Sequence, residues 1–438
     1  MKIYFIGIKG SGMSALAQLI KDLGHDVLGS DVEKIFFTDE KLKNKKIKVL
    51  SFDEKNIDET IDYVIVGNAF NEDNIEVQKA KKLNIKIIKY YECLKYLSIN
   101  FDSIAISGTN GKTTTTSMVT NIFPKDNINY IIGDGTGHGH IDATKFIFEA
   151  CEYKNTFLNY KPKTGIITNI EMDHPDFFKS LNDVINSYQE FANKINNLII
   201  NDDDLNIKKI KHNNIFTFSI KNKKANVYLE IKKENESNFI FNLYLNQEYL
   251  GEYSLPFVGT HMIYNSLAAI SIGLFYGLSS DQIIENLNNF EGAKRRFEIY
   301  KFEKQDIFLI DDYAHHPTSI KYTLEAIKKK YPDYKLTCFF QAHTYSRVKI
   351  FCDDFAEALA IADNIYVDKI FGSIRENNSD INEKVLIDAL AKYNKNIIND
   401  CNQIKNIGSK QVIALLGAGD IDVNLIPKIK EIINEINN

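Results

Sequence analysis

Hydrophobic positions along the 438-residue chain form short apolar runs that alternate with amphipathic segments of helical period. A strand buried on both faces is apolar throughout, so this alternation predicts parallel sheets covered by helices. In the first part, predicted strands at Lys2–Ile8, Asp26–Gly29, Tyr63–Val66 and Ile85–Ile88 alternate with predicted helices such as Met13–Leu23 and Ile75–Leu83. We therefore predict a doubly wound α/β unit there.

Two further α/β parts follow. The second contains predicted strands at Ser103–Ser107, Phe146–Glu149, Gly165–Ile170 and Leu198–Asn201, and the third at Ile307–Ile310, Leu336–Phe340, Asn364–Val367 and Val412–Leu416. Between them, short alternating runs over Phe216–Leu255 predict a small antiparallel appendage, followed by a helix at about Asn265–Tyr276. Length and pattern together predict three domains.

Composition narrows the class of protein. Hydrophobic residues make up 44% and charged residues 25%, with a net charge of −5, which is typical of a globular protein and implies no nucleic-acid partner. The apolar N-terminal run is too short for a signal peptide or a membrane span. The five cysteines lack Cys-x-x-Cys spacing, so neither a disulfide framework nor a zinc site is indicated. We expect a cytoplasmic protein with no membrane partner.

The most informative motif is the apolar run Ile104–Ser107 followed by Gly108-Thr109-Asn110-Gly111-Lys112-Thr113-Thr114. Backbone N–H groups at a helix start face an anion, and the lysine adds a positive charge. The strict phosphate-loop pattern lacks its first glycine, since Ile106 stands there. The strand before the motif and the helix after it nevertheless predict ATP binding.

A second glycine motif lies near the N-terminus, where Gly10, Ser11 and Gly12 follow a strand and open a helix. Its Gly-x-Gly-x-x-Ala pattern matches a dinucleotide turn, and Asp31 follows the next strand. Alone, this motif would favour a nicotinamide-dependent oxidoreductase. The ATP-type loop about a hundred residues later argues instead for two nucleotides, one as ATP and one as part of a substrate.

Polar residues at strand ends indicate the chemistry. Glu149 ends one predicted strand and His174 follows another, and Mg²⁺ prefers oxygen ligands such as Glu149 and Thr113. In the third part, Asp312 and His315 follow one strand, and His343, Tyr345 and Arg347 follow the next, which suggests a substrate rim. Adjacent histidines seldom converge on one metal, so His315-His316 does not favour zinc. Arg296 lies at the domain junction, where its guanidinium would bridge a transferring phosphate.

Together these motifs resemble the Mur ligase family over essentially the whole chain, and within it the branch that adds the first amino acid. The residues that carry the resemblance are Gly7–Ser14, Gly108–Thr114, Glu149 with His174, Gly259-x-His261 with Asn265, Arg295–Phe297, Asp311–Pro317, His343–Arg347 and Gly417–Asp420.

The resemblance implies a fold and an activity. It implies a Rossmann-like UDP-sugar-binding domain over 1–98, a central P-loop ATPase-like domain over 99–295, and a Rossmann-like amino-acid-binding domain over 296–438. The implied reaction joins L-alanine to the lactyl carboxylate of UDP-N-acetylmuramate through an acyl phosphate, giving ADP and phosphate. It serves peptidoglycan synthesis, and hence cell shape and division. ATP and Mg²⁺ are required, and the protein is expected to be a monomer or weak dimer.

Residue roles carry over by position. ATP would be bound by Gly108, Thr109, Asn110, Gly111, Lys112, Thr113, Thr114, Asn265, Arg296, Asp312 and His315, and Mg²⁺ by Thr113, Glu149 and His174. The UDP moiety would be bound by Gly10, Ser11, Gly12, Ser30 and Asp31. Catalysis would rest on Lys112, His174, Arg296, His343 and Arg347, with Arg347 on the alanine carboxylate and Tyr345 shaping its pocket.

Three positions depart from the family pattern. Asn110 replaces the histidine usual in the alanine-adding branch, Met262 replaces an asparagine, and Ala342 replaces a proline. Two alternatives stay open: a murein-peptide ligase that attaches a tripeptide, which shares these motifs, and, from another class, a nicotinamide-dependent oxidoreductase. Folylpolyglutamate synthases share the ATP half but lack the first domain.

Overall fold

The computed structural model describes residues 1–292, 295–372, 381–406 and 410–435, and its strands form three sheets in chain order. Every predicted strand named above is present, with ends shifted by up to three residues. The three-part α/β architecture is therefore confirmed. Within the described ranges, no helix is both long enough and apolar enough to cross a membrane.

The first sheet is fully parallel, with strand order β3-β2-β1-β4-β5. Its strands and helices are β1 (Lys2–Ile6), β2 (Asp26–Ser30), β3 (Lys48–Leu50), β4 (Tyr63–Val66), β5 (Lys86–Lys89), α1 (Ser11–Asp22), α2 (Asp39–Asn44), α3 (Ile75–Lys82) and α4 (Tyr90–Asn100). Buried Phe5 and Leu16 pack in one core that continues into the second part through Phe148. The first part is thus packed directly on the second.

The second sheet has ten strands in the order β15-β14-β13-β12-β11-β10-β6-β9-β7-β8. Its strands are β6 (Asp102–Ser107), β7 (Ile128–Ile131), β8 (Gly137–His138), β9 (Lys145–Glu149), β10 (Thr164–Ile167), β11 (Asn197–Asn201), β12 (Ile215–Ser219), β13 (Val227–Glu234), β14 (Phe239–Leu245) and β15 (Glu248–Leu255). Its helices are α5 (Lys112–Ile122), α6 (Leu181–Ala192), α7 (Thr260–Phe275) and α8 (Ser280–Asn288).

The structure corrects the predicted appendage. β12 pairs in parallel with β11, and β13 continues the same sheet through the pairs Phe218–Val227 and Ser219–Tyr228. Only β13, β14 and β15 are antiparallel to one another at that end. The antiparallel strands are therefore an extension of the central sheet and not a separate unit.

The third sheet has the order β16-β17-β21-β18-β19-β20, with β16 antiparallel at one edge. Its elements are β16 (Glu298–Phe302), β17 (Ile307–Asp312), β18 (Lys335–Phe340), β19 (Asn364–Val367), β20 (Asn396–Ile397), β21 (Gln411–Leu416), α9 (Pro317–Lys330), α10 (Tyr345–Leu359), α11 (Glu383–Leu390) and α12 (Ile421–Glu435). Single 3₁₀ turns lie at Glu54–Asn56, Lys125–Asn127, Ile207–Lys209 and Ala391–Tyr393, with longer ones at Tyr153–Asn159 and Cys401–Asn406.

Register brings the polar strand ends together. Ile106 of β6 pairs with Glu149 of β9, and Ser107 pairs with Ile167 of β10. The carboxyl ends of these parallel strands therefore meet at the start of α5, where ligands bind in open α/β sheets.

Candidate active site

The loop from β6 to α5 has the geometry of an anion cradle. Gly111 has φ +81° and Gly108 has φ +141°, and a Cβ on Gly108 would overlap the Thr168 hydroxyl. The loop is held from below, because Asn169 Oδ1 accepts the backbone N–H of Asn110 at 2.8 Å. Since the first N–H groups of a helix have no partner within it, the α5 N-terminus faces outward as an anion site.

Lys112 lies folded back on this loop. Its Nζ donates to Gly108 O at 2.6 Å and forms an ion pair with Glu152 at 3.0 Å. Burial alone would lower the pKa of Lys112, but the Glu152 carboxylate outweighs it and the pKa is raised. The lysine is therefore a cation with an internal counter-anion.

Thr113, Glu149 and Arg296 form a second cluster beside the loop. Thr113 Oγ1 donates to Glu149 Oε2 at 3.2 Å and accepts from Arg296 Nη2 at 3.1 Å. Glu149 Oε1 also accepts from the backbone N–H of Gly133 at 2.5 Å. Burial raises the pKa of Glu149, against the opposing effects of Gly133 and Arg296. The two oxygens of Thr113 and Glu149 are the kind of donor set that suits Mg²⁺.

Arg347 crosses from α10 to the central part. Its Nε donates to Asp173 Oδ1 at 2.8 Å and its Nη2 to Asp173 Oδ2 at 3.2 Å. Although burial would raise the pKa of Asp173, the charge of Arg347 holds that pKa well below its usual range. Arg347 also contacts His174 Nδ1 at 3.4 Å and donates to His343 O at 3.0 Å.

Glu152, Asp173 and His174 bring one ligand atom each within 4.8 Å of one another, as a metal site would require. However, Glu152 is neutralised by Lys112 and Asp173 by Arg347. Burial lowers the pKa of His174. This group is therefore arranged as paired charges, and the Thr113–Glu149 pair is the better fit for a divalent cation.

A cavity of about 350 Å³ opens between the phosphate loop, α7 and α9. Asn265, Arg296 and Asp312 line it, so the structure brings these three predicted residues together. His261 also lines it, stacked on Tyr322 with ring centres 5.8 Å apart. Burial lowers the pKa of His261 to about 4, and its Nδ1 has no hydrogen-bond partner among the described residues.

Asp312 and His315, which the resemblance assigns to ATP binding, lie at different places in the cleft. The Asp312 carboxylate accepts the backbone N–H groups of Phe297 and Ala314, both at 2.8 Å, so it shapes the domain junction as well as lining the cavity. His315 is not on the lining; its ring lies 6.2 Å from that of His343. It therefore belongs to the Arg347 side of the cleft.

A second cavity of about 550 Å³ lies between the first and central parts. Ser11, Gly12 and Glu149 line it, together with tyrosines of α4. Gly12 is required there, because a Cβ would approach the Tyr90 ring Cζ to 2.7 Å. Glu149 thus belongs to this cavity, Arg296 to the first cavity, and Thr113 contacts both residues.

Ser30 and Asp31, which the resemblance assigns to the UDP moiety, are not among the residues that line this cavity. Ser30 is fully buried and its hydroxyl donates to Glu76. Asp31 Oδ2 accepts the backbone N–H of Lys9 at 2.7 Å. The Ser30 backbone carbonyl accepts the N–H groups of Gly7 and Ile8, so both residues hydrogen-bond to the backbone of the glycine turn. Tyr345 begins α10, with its ring beside Gly372.

The sequence alone did not reveal the carboxylates that pair with Lys112 and Arg347. Glu152 lies three residues after Glu149, and Asp173 directly precedes His174. Acidic residues just beyond strands β9 and β10 were the available signal, but which cation each would meet depends on packing between parts of the chain. His261 was noted only as part of a motif.

Comparisons with known proteins assign all three parts of the chain to one family. Residues 2–102 match the model of the Mur ligase family catalytic domain, residues 106–273 the Mur ligase middle domain, and residues 295–435 the Mur ligase glutamate ligase domain. The UDP-N-acetylmuramate–alanine ligase of Thermotoga maritima is 25% identical, with TM-score 0.80, over 100% of this chain and 99% of that one.

Two more distant structures share the fold. A murein peptide ligase of Psychrobacter arcticus is 21% identical, with TM-score 0.70, over 99% of this chain and 98% of that one. A pseudomurein peptide ligase type C of Methanothermus fervidus is 21% identical, with TM-score 0.68, over 100% of both chains.

Proposed function

The chain belongs to the Mur ligase family, and on that basis we propose that it joins L-alanine to the lactyl carboxylate of UDP-N-acetylmuramate with cleavage of ATP. The family acts in the ligation of peptidoglycan precursors. The amino acid is the part of the proposal that goes further, and the full-length similarity to an alanine ligase supports it. The nicotinamide-dependent alternative is set aside, because the family is one of ligases.

One observation carries the proposal: Thr113 contacts both Glu149, on the wall of the second cavity, and Arg296, on the wall of the first. A nucleotide in the first cavity would direct its terminal phosphate at this point. An acid whose sugar nucleotide fills the second cavity would reach the same point from the other side. The two reactants would therefore meet beside Thr113.

The proposed chemistry has two steps. The lactyl carboxylate attacks the γ-phosphorus, and the bond from that phosphorus to the β–γ bridging oxygen breaks. ADP departs, and the product is an acyl phosphate. The amine then attacks the acyl carbon, loses a proton, and inorganic phosphate leaves with the carbon–oxygen electron pair. A free carboxylate is a poor electrophile because oxide would have to leave, so phosphorylation makes the amide bond accessible.

Several residues would stabilise charge during the first step. Lys112 and Arg296 would supply positive charge to the transferring phosphoryl group, and the N–H groups at the α5 N-terminus would bind the phosphates. Thr113 and Glu149 would hold Mg²⁺, which neutralises charge on the phosphate oxygens when bound. Closure of the three parts on the bound substrates would exclude water from the acyl phosphate.

Phosphate release from ATP tests the proposal directly. Purified protein with Mg²⁺, ATP and UDP-N-acetylmuramate is expected to release phosphate only when L-alanine is added. Glycine, L-serine and an L-alanyl-γ-D-glutamyl-linked tripeptide serve as parallel arms. Preference for the tripeptide would instead support a murein-peptide ligase, and release with no amino-acid dependence would contradict both.

A further inference from the structure

The guanidinium of Arg347 presents two edges, and within the described part of the chain a carboxylate occupies one of them. Asp173 takes the Nε–Nη2 edge with contacts of 2.8 and 3.2 Å. Arg347 is 5% exposed and Asp173 is 6% exposed, so the pair is shielded from water. A forked, buried, bidentate pair fixes both the position and the plane of the guanidinium.

The other edge, Nη1–Nη2, faces two histidines. Nη1 lies 3.3 Å from His343 Nδ1, and Nη2 lies 3.4 Å from His174 Nδ1. Both contacts are to imidazole nitrogens, and both are longer than the contacts with Asp173. Nη1 also donates to the backbone carbonyl of His343 at 3.0 Å. A carboxylate arriving at this edge would replace the two imidazole contacts and gain a second bidentate pairing, while Asp173 keeps the first edge.

The same edge is connected to the phosphate loop. His174 Nε2 lies 3.9 Å from Glu152 Oε1, and Glu152 pairs with Lys112 at 3.0 Å. A small molecule held by its carboxylate between His174 and His343 would therefore extend its other end towards the reacting phosphate. An α-amino acid has the right chemistry, since its amine lies one carbon from its carboxylate.

From this geometry we propose that Asp173 is a positioning residue: it anchors Arg347 across the interface so that the Nη1–Nη2 edge receives the carboxylate of the incoming amino acid. This inference rests on the proposed function. It differs from simple competition, in which the amino acid would have to displace Asp173 from Arg347. The two possibilities predict opposite changes in the KM for L-alanine.

The test uses Asp173→Asn and Asp173→Ala in the full-length protein. If Asp173 positions Arg347, the KM for L-alanine rises by roughly 10- to 100-fold in both variants, because hydrogen bonds to a charged group are lost. The KM values for ATP and UDP-N-acetylmuramate stay within about threefold of wild type. Competition would instead lower the KM for L-alanine, and that result would overturn the proposal, as would an unchanged KM.

Formate gives a sharper readout, because its effect should change sign. In wild type it would occupy the Nη1–Nη2 edge and inhibit competitively with L-alanine. In Asp173→Ala it would also fill the space left by the missing carboxylate, so low formate concentrations should lower the KM for L-alanine. Failure of formate to lower this KM in folded Asp173→Ala would count against the anchoring role.

Controls separate this inference from the proposed function. Asp363→Asn removes a more exposed ion pair of the third part, Lys328–Asp363, and should keep the wild-type KM for L-alanine. If a variant is inactive but melts cooperatively, calorimetric binding of L-alanine with UDP-N-acetylmuramate and a non-hydrolysable ATP analogue replaces the KM. Weaker binding supports the proposal and unchanged binding overturns it. Wild type that releases no phosphate with L-alanine would contradict the proposed function itself.

Discussion

At the scale of single residues, Lys112 offers the most direct test of how the site divides its work. Replacement by alanine removes the cation at the phosphate loop, so we expect phosphate release to fall by at least about 10²–10³-fold. UDP-N-acetylmuramate binding should be nearly unchanged, because that ligand is assigned to the other cavity. Phosphate assays and calorimetry of the UDP-sugar measure the two effects.

The matched control addresses folding. Lys112→Ala leaves Glu152, whose side chain is 2% exposed, without its counter-ion, at a cost of about 3–5 kcal/mol. Lys112→Ala combined with Glu152→Gln removes that buried charge and should recover most of the stability without recovering activity. Recovery of activity in the double variant would show that the lysine charge is dispensable.

Asp311 should make stability depend on pH. It is 2% exposed and lies 3.4 Å from Arg295, yet burial, together with nearby Asp422, raises its pKa to about 7. The folded state therefore binds the proton more tightly than the unfolded state, whose carboxyl has an ordinary pKa near 4. Stability contributed by the protonated form is present at low pH and is lost as pH rises from about 4 to about 7.

Thermal melting checks this sign. Asn imitates the protonated carboxyl, so Asp311→Asn should match wild type near pH 4 and become more stable than wild type towards pH 8. The expected gap at high pH is on the order of 2–4 kcal/mol. A gap that stays constant across this range would contradict the assignment.

The residues of the site were predictable to different degrees. Thr113, Glu149 and Arg296 converge as expected, because two of them follow neighbouring parallel strands and the third lies at the junction. Ser30 and Asp31 were placed correctly at a strand end, but their side chains are hydrogen-bonded to Glu76 and to the backbone of Lys9. Sequence position gives the end of the sheet at which a residue lies, whereas the direction of its side chain depends on partners such as Glu76 that are distant in sequence.

At the scale of elements, the start of α5 depends on Gly111. Gly111 and Gly277 have nearly equal φ angles, +81° and +80°, but a Cβ on Gly111 would lie 3.3 Å from Asn265 Cγ, whereas at Gly277 nothing lies within 4 Å. Alanine at either position should cost roughly 1–2 kcal/mol of stability from backbone strain. Only Gly111→Ala should also weaken ATP binding, by about tenfold or more.

Calorimetry of ATP and of the UDP-sugar, together with thermal melting, separates these effects. UDP-sugar affinity should stay at the wild-type value in both variants. Equal ATP affinity in Gly111→Ala and Gly277→Ala would show that the contact with Asn265 does not affect ATP binding. Backbone strain would then be the sole effect of either substitution.

Long apolar strands were predicted well, and short or edge strands were not. β3, β7, β8, β16 and β20 escaped detection, since runs of two to five residues carry too little periodicity. The antiparallel strands were recognised, but their attachment to the central sheet depends on only two parallel pairs between β12 and β13. No local sequence pattern encodes that pairing. α7 also begins five residues earlier than predicted, directly after Gly259.

At the scale of the whole molecule, polar contacts join the parts around the cleft. Ser319 Oγ of α9 donates to Asn110 Oδ1 of the phosphate loop at 2.6 Å, and Thr318 Oγ1 donates to Glu171 Oε2 at 2.6 Å. Lys34 of the first part lies 3.4 Å from Asp420 of the third. The departure at position 110 thus has a structural role, because the asparagine side chain reaches the third part.

Ser319→Ala should therefore affect closure on ATP. Loss of one interdomain hydrogen bond, worth about 0.5–1.5 kcal/mol, should raise the KM for ATP roughly 2- to 10-fold. The KM for UDP-N-acetylmuramate should not change. Thr344→Ala serves as the control, because it removes a hydroxyl that contacts Ser346 within the third part. Steady-state kinetics with each substrate varied in turn would detect the change in the KM for ATP. Equal effects on the KM values for ATP and UDP-N-acetylmuramate would argue against a role specific to the nucleotide.

The pairing of Lys112 with Glu152 has a consequence for turnover. A lysine without a counter-ion at a helix start would bind free phosphate and ADP. Here the Glu152 carboxylate competes with those anions for Lys112. Glu152 would thus return to the lysine as the products depart and hasten their exit. Its neutral glutamine counterpart should then show stronger product inhibition by ADP.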